Sequence, residues 1–343
     1  MRVVVTGGSG RIGSVLVRAL ADRGHVVTSL DRRPPATTAA NANANANANA
    51  NANAVAAAPV AAAAAVSARL TPSRDVAPAP PPAATAATAA AAGGSVGFVQ
   101  VDLLERDTVR GILAQADALC HLGEIPNEAT GVSPPEVYAH NTRVGAIVLQ
   151  AAAELKLRRV IYTSSCQAYG MWETPRVPPL LLPFDETHPL RPQNHYSLAK
   201  AAMEGYARLM AEQAGLSVAA FRFPWVLQDP YSQKMASWAV NDPEQTNGFA
   251  SYLHVTDAAS AYLLALEHPR PGFEAYHFSA AEVLSVTPLA ERLKKHHPDY
   301  PPLPPDWPPF KSPILIAKAR AHFGWEPQWN FLDFHREPGA RPR

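Results

Sequence analysis

Val3-Val4-Val5-Thr6-Gly7-Gly8-Ser9-Gly10-Arg11-Ile12-Gly13 runs from a short, wholly apolar strand through a glycine-rich turn into an amphipathic segment over 12–21. Strand, glycine turn and helix in that order point backbone N–H groups and a helix N-terminus at an anionic group. Further strands are expected at 25–30, 96–103, 118–123, 160–165 and 217–223, with helices at 105–116, 135–155 and 196–214 between them. Such alternation predicts an α/β fold, a Rossmann-type doubly wound parallel sheet with ligands beyond the C-terminal ends of its strands.

Several residues at those strand ends carry chemistry. Asp31 closes the second strand, where a carboxylate suits the two ribose hydroxyls of NAD and repels the 2′-phosphate of NADP; Arg32 and Arg33 follow at once. Asp102 ends the third strand, and Gly123, after the fourth, lets backbone pass close to a ligand. Cys120 reads as core and His121 as a packed strand histidine. Tyr196 and Lys200, four apart on the 196–214 helix, share one face, so a proton donor sits beside a fixed cation. Holding a phenol partly ionised near neutral pH takes about 4 kcal/mol of differential stabilisation, which an adjacent ammonium is suited to supply. Ser165 adds a hydroxyl at the end of its strand, and Met203, Tyr206, Leu209 and Met210 form a stripe of core or dimer contact.

The totals exclude other classes. The 343 residues carry a net charge of +1 and no basic stripe, which argues against nucleic acid. Two cysteines, Cys120 and Cys166, support neither a disulfide framework nor, alone, a metal site, and a reducing cytoplasm is the simplest setting. The apolar run at 3–5 is too short for a signal peptide, and no run elsewhere is long enough to span a membrane. Between 34 and 95 the composition turns to Ala, Asn, Pro and Thr, with strict Asn-Ala alternation over 41–54. Alanine buries too little surface to offset backbone ordering, so the segment is expected to be a disordered insertion whose deletion over 36–92 changes little. The NAD-binding domain is then 1–33 with 96–225; residues 226–343 form mainly a small C-terminal lobe capping the substrate, with 252–267 packing back.

With these residues in place, the chain resembles the extended short-chain dehydrogenase/reductase family, the NAD-dependent epimerase/dehydratase group. Thr6-Gly7-x-x-Gly10-x-x-Gly13, Asp31, Asp102-Leu103, Ser164-Ser165-x-x-x-Tyr169-Gly170, Tyr196-x-x-x-Lys200 and Gly324-Trp325-x-Pro327 carry the resemblance. It implies that Tyr196 exchanges a proton with a substrate hydroxyl or carbonyl, that Ser165 hydrogen-bonds the same oxygen, and that Lys200 holds the nicotinamide ribose. It places Gly7, Gly10, Arg11, Ile12, Gly13, Asp31, Asp102, Leu103, Leu122, Gly123 and Pro224 around NAD. A homodimer through the helices at 135–155 and 196–214 is implied as well.

Departures from the family pattern bear on the substrate. Trp225 stands where nucleotide-sugar epimerases usually have Asn, and Ala250-Ser251 where they have an Arg-Asp pair. A guanidinium fork for a diphosphate is not replaced by alanine. The stretch 230–250 is short for wrapping a nucleotide, and Cys166-Gln167 replaces the acidic pair of 4,6-dehydratases. The chain looks more similar to compact members acting on free sugars or sugar acids, such as uronate dehydrogenases. On that likeness Lys234 clamps a substrate carboxylate, and Ser165, Cys166, Gln167 and Trp225 face the substrate, Cys166 being alternatively a small buried filler. The expectation is an NAD-dependent dehydrogenase of a sugar or sugar acid. A sugar epimerase, possibly of a nucleotide sugar, is the alternative, followed by a non-catalytic NAD-sensing protein, against which the retained Ser165, Tyr196 and Lys200 argue.

Overall fold

The computed structural model describes residues 1–35, 94–127, 131–172, 176–228, 237, 239–240 and 249–331. All but the ends of the expected insertion, and Lys234, lie outside the described residues. In chain order the first half contains β1 (Arg2–Thr6), α1 (Arg11–Asp22), β2 (Val26–Asp31), β3 (Ser95–Gln100), α2 (Arg106–Leu113), β4 (Ala118–His121), α3 (Pro134–Glu154) and β5 (Arg159–Ser165). The second half adds α4 (His195–Ala214), β6 (Ser217–Phe223), β7 (Trp225–Leu227), β8 (Tyr252–His254), α5 (Val255–Glu267), β9 (Gly272–His277), α6 (Leu289–His296) and α7 (Ala317–Phe323).

Seven strands form one sheet in the order β3-β2-β1-β4-β5-β6-β9, every neighbouring pair parallel. Successive strand residues feed opposite cores, as the period of two requires. Val4, Leu119, Val160 and Val218 pack with Val109, Val148, Met203 and Met210 from α2, α3 and α4. Val3, Val5, Cys120, Ile161 and Phe221 pack on the other face with Leu16, Leu20, Ala261, Tyr262 and Phe323 from α1, α5 and α7. Helices on both faces and all-parallel strands make the doubly wound architecture expected. No helix among the described residues is long and apolar enough to cross a membrane.

The differences from the expected elements have local causes. The α2 helix stops at Leu113 because Gln115 and Ala116 donate to the carbonyls three residues back, a tightened last turn. The β4 ladder runs out after His121: Leu122 N is shared between Thr6 O at 3.2 Å and Thr6 Oγ1 at 3.1 Å, and Gly123 N donates to Thr6 Oγ1 at 3.1 Å. Ile314 forms a parallel bridge with Phe184, and α7 begins three residues later at Ala317. Tyr276 belongs to β9, which pairs with β6 along its whole length, so 272–277 and α7 join α5 in packing on the NAD-binding half. What remains apart is an aromatic core in which Trp172, Phe184, Phe249, Tyr300 and Trp329 are buried together, with α6 and the β7-β8 pair at its margins.

The register sets a minimum length for the link between β2 and β3. Val26 pairs with Ser95 and Asp31 with Gln100, so the chain leaves β2 at the C-terminal edge of the sheet and enters β3 at the N-terminal edge. A parallel return takes a dozen or more residues. Deleting 36–92 would leave residues 32–35, 93 and 94, six in all, between the strands. That is fewer than a parallel return needs.

Candidate active site

Strand order reverses between β1 and β4, which sends the chain to β2 and β3 on one side and to β5 and β6 on the other. Ligands of such sheets bind in the crevice at that point. Here the glycine turn fills its floor. Gly7 has φ +70, and a Cβ on it would lie 2.8 Å from the Leu122 carbonyl carbon and 2.9 Å from Gly123 Cα. A Cβ on Gly13 would lie 2.1 Å from Gly7 O, so the turn closes only with glycine at both positions. The α1 helix starts at Arg11 with Gly10 as its N-cap, which turns first-turn backbone N–H groups outward above the turn. Asp31 lies beside it, its carboxylate accepting from Ser9 N and Arg33 N at 3.1 Å each. These residues fit a dinucleotide: bare backbone and a helix N-terminus for a pyrophosphate, and a carboxylate at the end of β2 for a ribose.

The other residues expected around NAD fall along the same edge. Asp102 closes a turn by accepting from Leu104 N at 3.0 Å, and Leu103 packs so near Gly123 that a Cβ there would meet its Cδ1 at 2.5 Å. Leu122 and Gly123 line the crevice, and Pro224 separates β6 from β7. Arg11 reaches the opposite way, donating to Val226 O at 3.1 Å while Gln228 donates to Arg11 O, so the glycine turn is tied to β7.

Tyr196, Lys200 and Ser165 converge at the ends of β5 and α4. Asn194 caps α4 by accepting from Ser197 N at 2.7 Å, and Ser197 Oγ accepts from Asn194 N at 3.0 Å, so the helix starts with its first turn fixed. Tyr196 stands in that turn, 7% exposed, with the Lys200 ammonium 5.6 Å from its ring centroid. Lys200 Nζ donates to Thr163 O at 2.5 Å, which anchors α4 to β5 two residues before Ser165. Ser165 Oγ accepts from Gln167 N at 3.1 Å, leaving its O–H to donate outward.

Glu124, which the sequence reading passed over, completes the cluster. Its Oε2 accepts from Lys200 Nζ at 2.6 Å, and both side chains are 4% exposed. Burial lowers the Lys200 pKa, but the neighbouring Glu124, Tyr196 and Glu204 outweigh it and the net shift is upward. His121 sits behind Glu124, its Nδ1 2.7 Å from Thr6 Oγ1 and its Nε2 3.6 Å from Glu124 Oε1. Burial first, against the pull of Glu124, takes His121 down to about 4, so it is neutral and serves as packing, as its place in the strand suggested. The one sequence signal for Glu124 was an acid directly after the glycine at the end of the strand expected over 118–123.

Beneath the cluster lies a second ion pair. Arg222 on β6 donates through Nη2 to Glu204 Oε2 at 2.7 Å and through Nε to Oε1 at 2.9 Å, and Ser164 Oγ donates to Oε1 at 2.5 Å. Glu204 follows Lys200 by one turn of α4, so the pair pins that helix to β5 and β6. Cys166 occupies the alternative foreseen for it: it is 1% exposed, its thiol donates to Arg222 O at 3.2 Å, and burial pushes its pKa up. Gln167 and Trp225 are half-buried at the edge. Lys234 lies outside the described residues.

The profile of the NAD dependent epimerase/dehydratase family matches residues 3–229. The dTDP-glucose 4,6-dehydratase of Streptomyces niveus is 24% identical over 364 residues, covering 97% of this chain and 90% of that protein. The UDP-glucose 4-epimerase of Bacillus subtilis (strain 168) is 26% identical over 274 residues, covering 68% and 78%. Among solved structures, a mutated uronate dehydrogenase superposes with a TM-score of 0.59 at 18% identity, covering 98% of this chain and 84% of that one. The chain therefore belongs to the NAD dependent epimerase/dehydratase family and is an NAD-dependent enzyme.

Proposed function

We propose that this enzyme oxidises a sugar or sugar acid that carries no nucleotide, with Ser165, Tyr196 and Lys200 as its catalytic set. The observation that carries the substrate reading is the burial of Ala250 and Ser251, at 1% and 0% exposure, where the family resemblance leads one to expect an Arg-Asp pair. Ala250 O accepts from Leu284 N and Ser251 Oγ faces Ser312 Oγ, so the position belongs to the core of the lobe and offers no guanidinium to a diphosphate.

On this reading, Gly7, Gly10, Arg11, Ile12, Gly13, Asp31, Asp102, Leu103, Leu122, Gly123 and Pro224 hold NAD, which supplies the hydride acceptor. Tyr196 takes the proton of the reacting hydroxyl, and the outward O–H of Ser165 donates a second hydrogen bond to the same oxygen. Lys200, fixed by Thr163 O, keeps its positive charge beside the phenol. The aromatic lobe excludes water above, with Gln167 and Trp225 toward the substrate, and Lys234 is the cation proposed to pair with its carboxylate. Leu198 and Leu209, 45% and 43% exposed and eleven residues apart on one face of α4, support a homodimer through that helix. Two buried free thiols suit a reducing cytoplasm.

The test is NADH absorbance with NAD and a panel of uronates, aldoses and aldonates, for the wild type and Tyr196→Phe. NADH formed by the wild type and abolished in the variant is the expected result. A second reading, epimerisation, is favoured by the named activity of the Bacillus relative. Altered stereochemistry by NMR without net NADH would replace the first reading with the second.

A further inference from the structure

Glu124 has no part in the proton-transfer scheme, yet it makes the shortest charged contact of the Lys200 ammonium. Its Oε2 accepts from Lys200 Nζ at 2.6 Å, while the His121 ring faces Oε1 from 3.6 Å, beyond hydrogen-bond reach. The tautomer of that ring follows from its neighbours. Thr6 Oγ1 accepts from Leu122 N and Gly123 N, so its own proton goes to His121 Nδ1. The neutral imidazole therefore carries its proton on Nε2, facing Glu124. The groups around Lys200 are thus Glu124 and His121 from β4 and the loop after it, Tyr162 from β5, whose ring centroid is 5.1 Å from Nζ, and Tyr196 and Glu204 from α4. Glu204 is already neutralised by Arg222 from β6. Glu124 is left as the anion that offsets the Lys200 charge.

We propose that Glu124 is a positioning residue that holds Lys200 against Thr163 O and moderates the charge it presents to Tyr196, so that the side chain at 124 sets the pH at which the Tyr196–Lys200 pair releases its proton. The proposal rests on the reading of Tyr196 and Lys200 as the proton-transfer pair. With the carboxylate present, part of the ammonium's charge is offset where it faces the phenol. Without it, the ammonium, still held by Thr163 O, is uncompensated and favours phenolate, so Tyr196 releases its proton at lower pH.

The experiment is an ultraviolet titration of tyrosinate in the protein without added cofactor, with the Tyr196→Phe titration subtracted to isolate Tyr196. In Glu124→Gln the midpoint should fall by about one pH unit or more, the usual effect of one charge within hydrogen-bonding distance of a pair. Glu124→Asp, which keeps the charge, should return it toward the wild-type value. Should the amide variant not fold, Glu124→Ala, which admits water beside Lys200, carries the same prediction. A Lys200→Met variant separates the two possible failures. If it raises the Tyr196 midpoint while the Glu124 variants leave it in place or raise it, the role of Glu124 is overturned and the proton-transfer pair stands. If neither substitution moves it, the pair itself is overturned and the proposal with it.

Discussion

Replacing Glu204 by Gln keeps the shape of the side chain and removes one charge from the buried pair beneath the site. The Arg222 guanidinium, 5% exposed, exchanges a carboxylate that accepts from both Nε and Nη2 for a neutral amide with a single acceptor oxygen, and keeps Tyr169 OH and Glu186 O, at 2.6 and 3.0 Å from Nη1. Burial lowers the Arg222 pKa and Glu204 more than restores it, so the charge remains after the substitution with nothing to offset it. Removing one partner of a buried pair costs about 3–5 kcal/mol. For a chain of this size each kcal/mol lowers the melting temperature by about 2 °C, so a fall of about 6–10 °C is expected in calorimetry. Because Glu204 holds α4 to β5 and β6, kcat should also fall at temperatures well below the new midpoint. A Glu204→Met/Arg222→Met double variant, which removes both charges, should recover most of the stability, since apolar replacement of a whole pair costs little. A loss below about 1 kcal/mol in the single variant, or a double variant worse than the single, would refute the reasoning.

The pH dependence of stability has a defined sign. Burial draws His121 down to about 4 and, with Arg222 adding, His277 down to about 3. Unfolded histidines take up a proton at about 6.5, so the folded state binds fewer protons below that pH. Their stability is complete above about pH 6.5 and lost as pH falls toward 4 and then 3, about 3 kcal/mol for His121 alone; the melting temperature should fall through that window, less steeply in His121→Gln. Replacing 36–92 by about ten Gly/Ser residues should leave melting temperature and NAD affinity near wild type. Deletion without a linker should lower both, and equal stability of the two forms would remove the crossover reasoning. Leu209→Glu should shift mass in light scattering from dimer to monomer at micromolar concentration, and a wild type already monomeric there would end the dimer proposal.

Much of the fold was legible because it depends on short-range signals. Glycines at 7, 10 and 13, an acid at 31 and alternating apolar segments specify strand, turn and helix within a few residues of themselves, and Tyr196 and Lys200 share a face by helical period alone. The α6 helix was missed because it has only eight residues and few apolar ones, Leu289 and Leu293 being its buried leucines. Glu124 was not legible because an acid after a strand reads as solvent-exposed until α4 lays Lys200 against it from 76 residues away. Arg222 and Glu204, 18 residues apart on different elements, likewise become partners only when α4 packs on the sheet. The sequence by itself determined the parallel sheet, the dinucleotide crevice and the placing of Tyr196 and Lys200 on one helix face, since each rests on local periodicity or on a backbone position only glycine can fill. Tertiary structure alone decided which charges neutralise each other, which of Cys166 and Gln167 is core, and that the insertion must bridge two edges of the sheet, because burial and register arise only when distant segments are brought together.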